Sequence, residues 1–98
     1  MTETAQVFVL MFDAVAGEGC EVPAGEARHL LVMAPAASAE EAAAGAMEAL
    51  AGRGWSQVRL KDADQFRSEP RSLGDPVLRA AAEKAFAGSR AIVVYDKP

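Results

Sequence analysis

Residues 7 to 15 read Val-Phe-Val-Leu-Met-Phe-Asp-Ala-Val, apolar at nearly every position. A strand with one wet face alternates between core and solvent, because successive side chains point to opposite sides of the sheet. This stretch does not alternate. Val7, Val9 and Met11 fall on one side, and Phe8, Leu10 and Phe12 fall on the other. Any sheet that contains it must therefore be covered on both faces, and the rest of the chain has to supply the covers or leave one open.

The remaining segments resolve by pattern. A first strand is expected over residues 6–15, ending near Gly17. The loop at 17–27 carries three glycines and a proline, and His29 to Ala34 returns to strand-like composition. Pro35 is expected to end that second strand. Ser38 followed by Glu41 reads as a capping box, opening an alanine-rich helix over 39–52 with Glu40 and Glu41 favouring the positive end of the helix dipole. Its inward stripe is expected at Ala39, Ala43, Ala46, Met47 and Leu50. Gly45, in mid-helix, points to close approach of another backbone.

Residues 55–66 are expected as a third strand at a sheet edge, with Val58 and Leu60 on one face and Gln57, Arg59 and Lys61 on the other. Asp75-Pro76, a capping residue followed by proline at the first helical position, opens a second helix over 76–87. Leu78, Ala81, Ala82, Ala85 and Phe86 form its inward stripe. A last strand over 90–96 is apolar on both faces.

The order β-β-α-β-α-β, in one domain of 98 residues, implies an α+β two-layer sandwich. Its four-stranded, mostly antiparallel sheet would carry both helices on one face. In architecture this is similar to the ferredoxin-like type. Two helices on one face would leave the other bare, a larger apolar patch than monomers usually expose. The expected cover is a second copy, with Phe8, Leu10 and Phe12 in a homodimer interface. The alternative is that the loops at 17–28 and 64–75 fold over it, using Val22, Phe66 and Leu73.

Composition excludes several classes of function. A formal charge of −4, without a basic stripe, opposes binding to a phosphate backbone. No apolar run approaches the roughly 20 residues of a membrane helix, and the first residues lack a basic leader, so a cytoplasmic protein is expected. The abundance of alanine, glycine and arginine suggests a bacterial source. The single cysteine, Cys20, leaves no internal disulfide or multi-cysteine metal site.

Candidate chemistry is sparse. Glu18 and Glu21 flank Cys20, which disfavours a thiolate. His29 is the one histidine, and sequence assigns it no orienting carboxylate; pairing with Cys20 across the loop is open to it. Asp62 and Asp64, two apart in an extended strand, share a side, as a metal or acid/base pair requires, but charged residues at an edge also keep it from pairing. Arg67 and Arg71 flank Pro70 and could hold a carboxylate or phosphate. Trp55 is expected in the core, and Tyr95 could offer its hydroxyl to a pocket.

Two readings follow. The first is a non-enzymatic interaction or assembly module, homodimeric through the apolar sheet face, with no catalytic residues, metal or cofactor. The second is a small-molecule-binding protein or small enzyme, with a pocket between the sheet face and the two loops and polar contacts from His29, Arg67, Arg71 and Tyr95. A convergent polar set on the sheet face would favour the second; the inward positions read as uniformly apolar, so the interaction module is the expectation and the ligand-binding reading the alternative.

Overall fold

A computed structural model describes residues 6–67 and 72–95. The elements run β1 (Gln6–Ala16), β2 (Ala27–Ala36), α1 (Ala39–Gly52), β3 (Trp55–Phe66), α2 (Pro76–Phe86) and β4 (Ala91–Val94). They form an α+β fold around one four-stranded sheet of order β3-β1-β2-β4, with every neighbouring pair antiparallel. β3 is an edge strand, as its composition implies, and β4 is the other edge.

The expectation of two helices on one face is corrected. Phe8, Leu10, Phe12, Leu30 and Val32 pack with Ala42, Ala46 and Leu50 of α1, while Val7, Leu31 and Met33 pack with Ala81, Ala82 and Ala85 of α2. The helices therefore lie on opposite faces, and the sheet is sandwiched between them. The physical reason is strand direction. β2 and β3 are both antiparallel to β1 and so run parallel to each other, and the right-handed rule applies to the α1 crossover between them. β4 is antiparallel to β2 and so opposes β3. No handedness rule fixes α2, and its alanine stripe is free to cover the second apolar face. Kinship with the ferredoxin-like type is an analogy carried by the antiparallel sheet and its two connecting helices, and the division of helices between faces departs from the arrangement expected of it.

The covers are offset. α1 packs on β3, β2 and β1, whereas α2 packs on β4 and β2. Each helix thus leaves one side of its own face open: the α1 face beside β4, and the α2 face above β1 and β3. Phe8, Leu10 and Phe12, expected at an interface, are 6%, 0% and 0% exposed beneath α1. They belong to the core of the single chain.

Local signals act as their chemistry dictates. The Ser38 hydroxyl accepts from the Glu41 N–H at 3.1 Å, and the Asp75 carboxylate accepts from the Val77 and Leu78 N–H groups. The inward stripe of α1 runs Ala42, Ala46, Leu50, with Met47 and Ala39 exposed. Gly45 faces the Arg90 guanidinium instead of a backbone; an added Cβ would sit 2.6 Å from its Nη2. Trp55 is buried among the α1-side residues, as expected, and its Nε1–H has no partner among the described residues.

β2 continues through Pro35. The Tyr95 N–H donates to the His29 carbonyl, so the main-chain groups of His29, Leu31, Met33 and Pro35 face β4. Proline lacks the N–H for that ladder, and β4 pairs only as far as Met33, so nothing is lost where Pro35 stands. At the opposite end of the sheet, the Gly17 N–H donates to the Gly54 carbonyl at 2.8 Å, locking β1 against the turn before β3. A Cβ on Gly17 would lie 2.6 Å from that oxygen, so only glycine permits the approach.

Candidate functional site: the open half of the α2 face

The uncovered part of the α2 face is built from alternate residues of β1 and their neighbours on β3. Val9 and Met11 form its half-buried floor, paired with Asp64 and Asp62 across the β1–β3 ladder. Phe66 closes one end, with its ring edge-on to Phe86 of α2 at 5.8 Å. The result is a shallow groove of about 490 Å³, with Arg67 at its rim. Leu73 and Phe66 both pack toward α2, whereas Val22 packs on the α1 side, so the residues named for the alternative of loop covering are divided between the two faces.

At the other end stands a polar cluster. Asp13 is opposite His29 on β2 and opposite Arg59 on β3. The His29 Nδ1 lies 2.5 Å from Asp13 Oδ1, and the Lys61 Nζ lies 3.6 Å from Asp13 Oδ2. An ionised carboxylate only accepts, so Nδ1 carries the proton, and the imidazole is oriented with Nε2 left over. The hydrogen bond from His29 holds the Asp13 carboxyl below its ordinary value of 3.8; desolvation opposes this, and the positive charges of His29 and Lys61 add to the lowering. All three side chains are substantially exposed.

β3 reaches this cluster through irregularity. Met11 pairs with Asp62 but Phe12 with Leu60, which leaves Lys61 as the extra residue of a bulge, and a second shift follows between Asp13 and Val15. Gln57, within that second shift, has φ of 51°. Bulges bend an edge strand and re-aim side chains, which is how Lys61 comes to face Asp13. A second, smaller hollow of about 250 Å³ lies beyond the cluster, between Asp13, Gln57 and Arg59.

The sequence candidates fall as follows. His29 has the orienting carboxylate that sequence reasoning could not assign, and Asp13 is the residue that was missed; its signal was being the one charge inside the apolar run. The Tyr95 backbone adjoins His29 through the bond from its N–H to the His29 carbonyl, 3.0 Å. Arg67 is exposed at the groove rim, and Arg71 lies outside the described residues. Cys20 packs toward the α1-side core while His29 pairs with Asp13 on the α2 face, so the sheet separates the two.

Asp62 and Asp64 are turned to their own strand: their carboxylates accept from the N–H groups of Ala63 and Gln65, at 3.0 Å each. Each carboxylate thus occupies a main-chain donor of the edge strand. Among the described residues no group of three or more His, Cys, Asp or Glu is placed to hold a metal, and no helix is long and apolar enough to cross a membrane. Chemically, the cluster can orient an imidazole and offer cations to an anionic group. The Ser56 hydroxyl donates to the Val15 carbonyl and Cys20 is on the α1 side, so neither stands as a nucleophile for His29. In comparison with known proteins, no family model, curated protein or solved structure matches the chain.

Proposed function

We propose that this is a small-molecule-binding domain whose ligand lies along the open half of the α2 face. The observation that carries this reading is the convergence of Asp13, His29 and Lys61 beside an uncovered apolar strip. This is the polar set that distinguishes a binding face from a purely apolar contact surface. Arg59 and Lys61 stand about the Asp13 carboxylate at this end of the strip, and their cationic groups suit a carboxylate or phosphate, while Asp62 and Asp64 along the strip direct that group to this end. The floor of Val9 and Met11 suits a short apolar body. The single free cysteine supports a cytoplasmic setting.

The test is a titration with hexanoate, followed by amide chemical shifts. The expected outcome is perturbation at Met11, Asp13, His29 and Lys61 that is lost in Lys61→Ala. Absence of perturbation, or perturbation that survives Lys61→Ala, overturns the reading.

The interaction reading has its own observation in Phe86, which is 50% exposed against Phe66 beside the same strip. A homodimer through this surface would use Val9, Met11 and Phe86 in place of Phe8, Leu10 and Phe12. Light scattering on Met11→Glu checks it: loss of a dimer supports this surface, and an unchanged mass sinks it.

A further inference from the structure

The two edges of the sheet are treated differently by the chain. Over the 62–66 stretch of β3, the residues whose main-chain groups face away from β1 are Ala63 and Gln65, because Asp62, Asp64 and Phe66 pair inward with Met11, Val9 and Val7. Both outward N–H groups are occupied by the preceding aspartates. The strand also carries two bulges and exposed charges at Arg59, Lys61, Asp62 and Asp64. Each of these devices keeps an edge from pairing with another chain.

β4 has none of them. Its sequence is Ala-Ile-Val-Val, without charge, proline or bulge. Since Tyr95 bonds inward to His29, Val93 also faces β2, and Ile92 and Val94 direct their N–H and C=O groups away from the sheet. On the α1 face the side chains of Ile92 and Val94 are half-buried only, because α1 does not extend over β4. Among the described residues, outward backbone donors and acceptors without a partner strand thus coincide with half-covered β-branched side chains.

We propose that β4 pairs antiparallel with β4 of a second copy about a two-fold axis at Val93, joining the two sheets edge to edge. In this register Ile92 of one copy faces Val94 of the other, and each such pair exchanges both of its main-chain hydrogen bonds. Val93 sits opposite its own counterpart in the close, non-hydrogen-bonded position. The occupant is a second copy because the segment is complementary to itself in this register. Every bond-forming residue meets a bond-forming residue, and β-branched side chains meet across the strands, an arrangement that stabilises sheets. The inference is independent of ligand binding on the α2 face, which involves the other half of the sheet.

Val94→Pro tests it. The substitution removes an outward N–H and leaves every bond to β2 in place, so an edge strand tolerates it. Light scattering over a wide range of concentration should show a dimer for the parent chain and a monomer with unchanged far-ultraviolet dichroism for Val94→Pro. Met11→Glu should leave this dimer intact, which separates it from association through the open face. Because Val94→Pro can also unfold β4, amide hydrogen exchange of the parent chain gives a second readout: protection of Ile92 and Val94 should rise with protein concentration. A parent chain that is monomeric throughout, a dimer that survives Val94→Pro, or exchange at Ile92 and Val94 that ignores concentration overturns the proposal.

Discussion

The two faces of β1 carry similar residues and meet different fates. Phe8, Leu10, Phe12 and Ala14 are sealed beneath α1, whereas on the other side only Val7 is buried and Val9, Met11 and Val15 are half-exposed, with Asp13 among them. The difference comes from where each helix is anchored. α1 follows a crossover over β1 and lies across β1, β2 and β3, while α2 returns to the far edge and packs mainly on β2 and β4, touching β1 at Val7 and β3 at Phe66. Equal hydrophobicity on two faces thus specifies a requirement for cover, and the connections decide how much of it is met. The shortfall on the α2 face is where polar groups converge.

The sharpest way to break this comparison is to truncate adjacent residues of one strand that point opposite ways. Leu10→Ala should cost ~2–5 kcal/mol of unfolding free energy, as for fully enclosed leucines. Met11→Ala should cost about 1 kcal/mol, in proportion to its partial burial. Urea denaturation of the two variants measures the gap, and equal losses would mean that the faces are equally packed. Next in size, Ala82→Leu inserts bulk into the α2-side core, where Ala82 itself is 0% exposed. It should destabilise by ~1–3 kcal/mol through overpacking, and a neutral result would show that α2 rides loosely. Asp75→Ala removes the acceptor for two N–H groups at the start of α2 and should cost about 1 kcal/mol. Hydrogen exchange should then speed up in α2 and leave α1 unchanged.

The smallest effect concerns acid. Asp13 has a lowered folded-state value, so its contribution to stability is present above the ordinary carboxylate range and is lost as pH falls through the folded value. The parent chain and Asp13→Asn should therefore differ near neutrality and converge in strong acid. A carboxyl titration of Asp13 at or above 3.8 by nuclear magnetic resonance would contradict the His29 hydrogen bond.

Much of the fold could be read from local chemistry, because its signals are local. Ser38 and Asp75-Pro76 mark helix starts through their own side chains and backbone, and the alternation and charge of residues 55–66 mark an edge whatever lies beside it. The misreadings arose where the answer depended on distant strands. Treating both crossovers as parallel placed α2 beneath the wrong face, and with it Phe8, Leu10 and Phe12 in an interface. Pro35 looked like a strand end because its tolerance rests on the point at which β4 stops pairing. The α1 stripe was displaced toward Met47 because alanine on nearly every side of a helix gives little phase information. The Asp13–His29 pair depends on the β1–β2 register, which a long loop at 17–26 does not specify as a tight turn would.

The aspartates of β3 have a consequence for stoichiometry. A chain with two adhesive edges adds copies without limit, because each addition exposes a fresh edge. With Asp62 and Asp64 occupying the Ala63 and Gln65 donors and bulges interrupting the rest of β3, pairing through β4 uses up the remaining edge of both participants and growth stops. The two carboxylates, together with the bulges and the charges of Arg59 and Lys61, would set the assembly number at two, so stripping these protections together is the change expected to turn a finite particle into a filament.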